Sequence, residues 1–93
     1  PQPRYMQGRS IRPLLEGHTP GDWPTLAYHR YWMNNDDIHN ACAHYGIRTK
    51  DFKLIYWYDE ALGEPGSNPG YREPEWELFD LRTDASEMCN VYK

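Results

Sequence analysis

The stretch from Ala43 to Tyr58 constrains the fold of this chain more than any other, because it has the pattern of one β-hairpin. Two runs rich in β-branched and aromatic residues flank a short polar turn at Lys50-Asp51. Neither run contains proline, so both can lie inside a sheet as well as at its edge. The sequence therefore predicts a sheet built around this hairpin.

Further strand candidates lie on either side of the hairpin. In residues 26–33 the even-numbered side chains share one face and the odd-numbered ones the other, and neither face is plainly polar. Residues 76–81 form the last candidate strand, after a glycine- and proline-rich stretch from Asp59 to Glu73 that is typical of a long surface loop. Apolar side chains on both faces indicate a sheet that is covered on both sides or packed against another domain.

Short helices are predicted at both ends of the chain. Residues 1–9 are polar and proline-punctuated and have the character of a linker. Ser10 is placed to cap a short helix, with Pro13 in its first turn and Gly17 as its stop.

The C-terminal segment is expected to be helical and to complete the fold. Asp84 and Glu87 have capping-box spacing, and Met88 and Val91 supply an apolar stripe. Strands joined by hairpins and loops without helical crossovers favour antiparallel pairing. We therefore predict an α+β fold, a four-stranded antiparallel sheet with the C-terminal helix packed on one face.

Composition limits the classes of partner. The 93 residues suffice for one small domain or a part of a larger one, and the mean hydropathy of -0.97 is low for a free-standing domain. Aromatic residues, at 15%, indicate a thin, ring-rich core. The net charge of -4 and the scattered Lys and Arg argue against nucleic acid and anionic membranes as partners. No apolar run approaches the ~20 residues of a membrane span.

The chain start and the cysteines leave alternatives open. Residues 1–4 do not resemble a natural start, so we expect a cut-out or a mature fragment. Cys42 and Cys89 are compatible with one disulfide or with two free thiols.

The loop before the hairpin carries the first candidate chemistry. Asp36, Asp37, His39 and His44 are ligand types that bind divalent metals, but their spacing matches no known ligand motif. The alternative is a solvated loop in which Asp and Asn provide turn hydrogen bonds, and this is what such composition usually means.

The start of the hairpin carries the second candidate. His44, Gly46 and Arg48 point to one face of a strand, and Gly46 leaves room for an anion or a sugar hydroxyl between the other two. The structural alternative is a cross-strand ion pair for Arg48 and a hydrogen-bonded His44. Exposed tyrosines and tryptophans can stack on sugars, although they more often form a core or a face packed on another domain.

A complete catalytic apparatus is missing from the sequence. No serine has a histidine and an acid at a recognisable spacing, no glycine-rich phosphate loop is present, and neither cysteine lies in a nucleophile signature. We expect this chain alone to be catalytically inactive.

Six motifs follow one another along the chain: MQGRSIRPLL (6–15), YHRYW (28–32), HYGIRT (44–49), FKLIY (52–56), WELFDLRTD (76–84) and EMCNVY (87–92). In this order they resemble the C-terminal end of a type I sulfatase, closest to bacterial glycosaminoglycan and N-sulfoglucosamine sulfatases. The resemblance covers nearly the whole chain. It implies that residues 1–17 are a linker and short helix from the end of a missing catalytic domain, and that residues 18–93 are the C-terminal subdomain.

The resemblance also implies an activity for the parent enzyme. Such enzymes are sulfuric ester hydrolases of the periplasm or the cell exterior that cleave sulfate esters or sulfamates of sugars. Their formylglycine, made in a Cys/Ser-x-Pro-x-Arg motif, and their calcium ion lie in the large domain. Neither Cys42 nor Cys89 begins such a motif, so no cofactor, metal or catalytic residue is expected here.

The implied partners are the parent's catalytic domain and a sulfated glycan. The resemblance places the loop before the His-Tyr-Gly segment near the mouth of the substrate pocket, so His44 is expected to bind substrate, with His39 and Asp37 as further candidates. Alternatives are a stand-alone carbohydrate-binding module or an oligomerising domain, since an exposed aromatic face can self-associate.

Overall fold

The computed structural model describes residues 3–93 and contains one antiparallel sheet. Its strands are Ala27–Tyr31 (β1), His44–Arg48 (β2), Phe52–Trp57 (β3) and Glu75–Asp80 (β4), in the spatial order β1-β2-β3-β4. The predicted four-stranded antiparallel sheet is thus confirmed, and the hairpin supplies both of its central strands.

The hairpin turn lies where the sequence predicts it. The Thr49 amide donates a hydrogen bond to the Phe52 carbonyl at 2.8 Å, which leaves Lys50 and Asp51 at the tip. The Thr49 hydroxyl accepts hydrogen bonds from the amides of Asp51 (3.3 Å) and Phe52 (3.1 Å). A threonine side chain therefore ties this turn to the start of β3.

The strand register divides the side chains into two faces. The histidine face consists of Ala27, His29, Tyr31, His44, Gly46, Arg48, Lys53, Ile55, Trp57, Glu75, Glu77 and Phe79. The tyrosine face consists of Tyr28, Arg30, Tyr45, Ile47, Phe52, Leu54, Tyr56, Trp76, Leu78 and Asp80. Both faces carry apolar side chains, as the sequence pattern indicates.

The apolar core of the described residues is small. Its buried members are Cys42, Ala43, Ile55, Tyr58 and Phe79. On the tyrosine face the rings touch one another and remain open to solvent: Tyr56 and Trp76 stack at 4.5 Å, while Tyr28 is 63% exposed. A contiguous apolar face of this kind is typical of a surface that packs on something else.

The N-terminal helix is a single turn, Arg12–Leu15 (α1). Pro13 lies in its first turn and Gly17 follows it with φ of +80°, as expected for a proline start and a glycine stop. The Ser10 hydroxyl accepts a hydrogen bond from the Arg12 amide at 3.2 Å. The first two residues of the predicted linker lie outside the described residues. Within residues 3–93 no helix is long and apolar enough to cross a membrane.

The predicted C-terminal helix is wrong: residues 81–93, here called the tail, contain no helix. Both carboxylate oxygens of Asp84 are used further along the chain, where they accept from the amides of Met88 (3.0 Å) and Cys89 (2.8 Å). Glu87 has φ of +55°, which no helix accommodates, and its carboxylate lies 3.0 Å from Lys53 Nζ.

The tail instead lies along the outer edge of β4. Asn90 accepts from the Leu78 amide at 3.0 Å and donates to the Trp76 carbonyl at 3.1 Å, and the Val91 amide donates to the Leu78 carbonyl at 2.8 Å. The Tyr92 ring stacks on Trp76 at 5.7 Å. The tail therefore covers a sheet edge that would otherwise present unpaired backbone groups.

Candidate functional site

Two long loops meet at one end of the sheet. β1 ends and β2 begins there, and so do the end of β3 and the start of β4. Residues 32–43 and 58–74, the loops that join these strands, therefore lie side by side. We call them, with the adjoining strand termini, the loop end.

Asn34 is the centre of the loop end, and it is fully buried, with 0% of its surface exposed. Its Oδ1 accepts from the Ala43 amide at 2.7 Å, and its Nδ2 donates to the Asn68 carbonyl at 3.0 Å. The Ser67 hydroxyl accepts from the Asn34 amide and donates to the Trp32 carbonyl. A loop that has almost no hydrophobic anchor in the sequence is thus held by buried polar contacts.

Asp59 fixes the second loop in the same way. Its Oδ2 accepts from the amides of Tyr71 (2.8 Å) and Arg72 (2.7 Å), and its Oδ1 accepts from Asn35 Nδ2 (2.8 Å). Burial raises the pKa of Asp59, but the hydrogen bonds from Tyr71, Arg72, Asn34 and Asn35 together outweigh it and leave the pKa below its usual value. A Cβ at Gly70 would overlap the Asp59 carbonyl, so a glycine is required there.

Asp36 holds His39 at the outer side of the loop end. Asp36 is 3% exposed, and it accepts from the Tyr31 hydroxyl (2.9 Å) and the His39 amide (3.2 Å). His39 Nδ1 lies 2.9 Å from the same carboxylate. Burial raises the pKa of Asp36, yet the bonds from His39 and Tyr31 together lower it to about 2. The His39 side chain itself is 65% exposed.

His44 is packed among rings on the histidine face. Its Nδ1 lies 2.9 Å from the Cys42 carbonyl, and its ring lies 4.2 Å from Trp57 and 5.7 Å from Tyr31. A carbonyl oxygen only accepts, so we assign the proton of the neutral ring to Nδ1. His44 Nε2 is then an acceptor for a hydroxyl or amine hydrogen.

The predicted space beside Gly46 is filled, so that part of the prediction is wrong. A Cβ at Gly46 would lie 2.7 Å from His29 Cε1 and 2.5 Å from the Leu54 carbonyl oxygen. The His29 ring therefore lies over Gly46 and fills the space predicted for an anion. Its centroid is 5.5 Å from that of the His44 ring. Burial, and then the neighbouring charges of His44 and Lys53, lower the pKa of His29.

Arg48 does not take the alternative role either. Its cross-strand neighbours are Ala27 and Lys53, and within residues 3–93 it forms no ion pair. The predicted cross-strand ion pair is therefore wrong, because a like charge lies opposite Arg48.

The structure does not bring the four candidate metal ligands of this loop together. Over the described part of the chain no group of three or more His, Cys, Asp or Glu side chains is arranged to hold a metal ion. Asp37 lies 3.3 Å from Asn68 Nδ2, whereas His44 is bonded to a backbone carbonyl and only Asp36 and His39 contact each other. The loop thus follows the alternative prediction of turn hydrogen bonds.

The two cysteines are free thiols. Cys42 is buried, with Arg72 Nη1 at 3.2 Å from its sulfur, and Cys89 is exposed in the tail. The predicted alternative of a disulfide is not formed.

The residues that hold the two loops of the loop end together were not predicted from the sequence. Asn34, Asp59 and Tyr31 hold the loop end together, but the sequence shows only turn-forming residue types at the first two and a strand position at the third. One local signal exists: Asn35 and Asn40 adopt φ of +49° and +50°, a conformation that asparagine tolerates better than most residues.

The fold and the sequence together define a sulfatase C-terminal domain. Residues 1–93 match the family model described as N-sulphoglucosamine sulphohydrolase, C-terminal, and the chain belongs to this family. It is 39% identical over 92 residues to an N-acetylglucosamine-6-O-sulfatase of Bacteroides thetaiotaomicron, covering 97% of this chain and 14% of that protein. The family resemblance stated from the motifs is thereby confirmed.

A solved structure supports the same assignment. It is described as a complex with the substrate D-glucosamine-2-N,6-O-disulfate, and it matches with a TM-score of 0.78 at 37% identity. The match covers 99% of this chain and 16% of that chain, so the chain spans about a sixth or less of the length of these relatives. Neither relative is described as a stand-alone sugar-binding or oligomerising module, and that alternative has no support.

Proposed function

We propose that this chain is the C-terminal part of an enzyme that hydrolyses sulfate esters or sulfamates of sugars. The family match and the names of its relatives support this proposal, since one is an N-acetylglucosamine-6-O-sulfatase and the other is described with a disulfated glucosamine as its substrate. The substrate class that follows is a sulfated glycan, with sulfated glucosamine as the first sugar to try.

The observation that carries the proposal is the loop end. His39 and Asp37 are both exposed on this end of the sheet, which buried polar contacts hold together. The half-buried His44 lies on the neighbouring strand. Imidazole nitrogens donate to sulfate oxygens or accept from sugar hydroxyls, and a carboxylate accepts from hydroxyl or amine groups. We assign His44, His39 and Asp37 to one wall of the substrate pocket.

The chemical step belongs elsewhere in the parent enzyme. Cys42 precedes Ala43-His44-Tyr45 and Cys89 precedes Asn90-Val91-Tyr92, so neither fits the Cys/Ser-x-Pro-x-Arg motif of a formylglycine precursor. Among residues 3–93 no group of three or more His, Cys, Asp or Glu side chains is arranged to hold a metal ion. The proposal therefore assigns the formylglycine and calcium to the catalytic domain, expects no activity from these 93 residues alone, and places the parent in the periplasm or outside the cell.

The tyrosine face is the surface that we assign to packing on that catalytic domain. Ile47, Phe52 and Trp76 on this face are 41%, 38% and 37% exposed, beside the more open Tyr28. A groove of about 370 Å³ runs between its tyrosines and the second loop. Covering this face would supply the apolar burial that the small core of the described residues lacks.

The test uses the full-length parent enzyme. His44→Ala is expected to lower kcat/KM on a sulfated glucosamine by roughly tenfold or more, because a hydrogen bond to a polar substrate is lost. Arg48→Ala is the matched control, since Arg48 lies on the same strand without an ion pair, and its kcat/KM is expected to stay unchanged. Equal losses in both variants would sink the assignment of His44, and a parent gene without an upstream Cys/Ser-x-Pro-x-Arg motif would sink the sulfatase proposal itself.

A further inference from the structure

We propose that Asp36 is a positioning residue that fixes the protonation site and the direction of the His39 ring, so that His39 presents Nε2 outward. This inference rests on the proposed function in one respect, namely that His39 contacts the sulfated sugar. The role of Asp36 itself is carried by the contacts within the loop end.

The first step concerns the carboxylate. Asp36 lies almost out of contact with solvent and receives three hydrogen bonds, from the Tyr31 hydroxyl, the His39 amide and the His39 ring. These hydrogen bonds stabilise the ionised form of the carboxylate, because each neighbour donates to it. Tyr31 holds one oxygen, so the other is aimed at His39.

The second step concerns the loop that carries His39. The Asn40 amide donates to the Asp36 carbonyl at 2.9 Å, and the His39 amide donates to the Asp36 carboxylate. Two hydrogen bonds therefore tie the backbone of residues 36–40 to Asp36, and the contact with the His39 ring is a third. An exposed side chain has few packing contacts to orient it, so these contacts determine where the His39 ring points.

The third step concerns the proton. An ionised carboxylate has no hydrogen to give, so the contact with Asp36 requires the hydrogen of the neutral His39 ring on Nδ1. Nε2 then carries a lone pair on the side of the ring away from Asp36, where it accepts from a sugar hydroxyl. When the ring is protonated, the same Nε2 donates to a sulfate oxygen instead. Without Asp36, an exposed histidine in water favours the other tautomer, with the hydrogen on Nε2.

The fourth step connects the two histidines of the loop end. The Tyr31 hydroxyl binds Asp36, while the Tyr31 ring stacks on His44 with an interplanar angle of 22°. The Nδ1 of His44 is hydrogen-bonded to the Cys42 carbonyl. In both rings, therefore, Nδ1 is directed into the protein and Nε2 remains for a substrate contact. One tyrosine thus supports both of the histidines that we assign to the substrate.

Nitrogen-15 NMR of the histidine rings tests the proposal directly, because the two tautomers have different nitrogen shifts. In the wild-type protein, above the pH at which the ring loses its charge, His39 is expected to be the Nδ1–H tautomer. In Asp36→Ala it is expected to become mainly the Nε2–H tautomer. Asp37→Asn is the matched control, since this neighbouring carboxylate contacts Asn68 and not His39, and it should leave the His39 signals unchanged.

Two results would overturn the role of Asp36: a wild-type His39 in the Nε2–H form, or an Nδ1–H form that survives in Asp36→Ala. If Asp36→Ala does not fold, Asp36→Asn keeps the size of the side chain and is read in its place. Its amide both donates and accepts, so a mixture of tautomers is expected, and a single Nδ1–H form would count against the proposal.

Kinetics of the full-length parent separate this inference from the proposed function. Asp36→Asn and His39→Ala are each expected to lower kcat/KM by about tenfold, and the double variant should be no worse than His39→Ala, because both act through one ring. Unchanged kcat/KM in His39→Ala would overturn the substrate contact alone. Losses that multiply in the double variant would show that Asp36 acts otherwise than through His39.

Discussion

The loop end and the tail use the same residue types in two different settings. In each, Asn and Asp side chains satisfy backbone groups that no strand partner reaches: Asn34 and Asp59 in the loop end, Asn90 and Asp84 in the tail. The two regions differ in their access to water, because Asn34 and Asp59 are buried whereas Asn90 and Asp84 are not. A lost partner in the loop end leaves a dry, unsatisfied group, and a lost partner in the tail is replaced by solvent.

The sharpest way to break this comparison is Asn34→Ala. The substitution leaves the Ala43 amide and the Asn68 carbonyl without their partners inside the protein, and each such group costs about 1–3 kcal/mol. We expect the free energy of unfolding to fall by about 2–4 kcal/mol in urea denaturation. A loss below about 0.5 kcal/mol, the usual size for an exposed polar contact, would mean that water reaches this site and that the two regions do not differ.

Acid should weaken the loop end through its two buried carboxylates. The pKa of Asp36 is lowered from 3.8 to about 2, and the pKa of Asp59 is also lowered, so both groups release protons more readily folded than unfolded. Their stabilisation is fully present above the unfolded pKa near 4, and it is lost as the pH falls towards 2. Urea denaturation at a series of pH values should therefore show stability declining through this range.

Two carboxylates outside the loop end, each paired with an arginine, provide the control for that experiment. The pKa values of Asp22 and Asp80 are lowered chiefly by their hydrogen bonds with Arg9 and Arg82. Salt near 1 M screens charges beyond about 3 Å in solvent, so it should remove much of this surface effect and leave the buried one. Asp59→Asn should flatten the remaining decline, and an equally steep decline in that variant would contradict the assignment.

The sheet was predictable because its determinants are local. Alternation in residues 26–33 and 52–58, the proline-free hairpin and the Lys50-Asp51 turn each act over a few residues, and the structure follows them. The conformation of the tail was not predictable, because Asp84 and Glu87 at capping-box spacing also permit a non-helical turn. The choice depends on distant partners, Lys53 for Glu87 and the edge of β4 for Asn90.

The candidate site divides in the same way. That Asp37 and His39 lie on a polar, exposed loop follows from composition alone. The burial of Asn34 does not, because its partners Ser67 and Asn68 are more than 30 residues away in the sequence. Likewise, the period of the strand placed His44, Gly46 and Arg48 on one face, but only the pairing of β1 with β2 brings the His29 ring over Gly46.

Asn90→Ala tests the tail side of the comparison. It removes hydrogen bonds to the Leu78 amide and the Trp76 carbonyl, both on an exposed edge, so we expect a loss of about 0.5–1.5 kcal/mol. Amide hydrogen exchange should report the change locally, with faster exchange at Leu78 and no change at Ala43. Exchange that accelerates equally at both amides would show that the tail and the loop end unfold together rather than separately.

Glu87→Gln is expected to have the smallest effect. The Lys53–Glu87 pair spans 3.0 Å with side chains that are 23% and 28% exposed, so it is partly shielded, yet it remains near solvent. Pairs of this kind contribute about 0–1 kcal/mol, and the glutamine keeps a hydrogen-bond acceptor for Lys53. The difference in unfolding free energy between Glu87→Gln and the wild type should therefore shrink further in high salt. A loss as large as that of Asn34→Ala would mean that this ion pair, and not the edge contacts of Asn90, keeps the tail out of a helix.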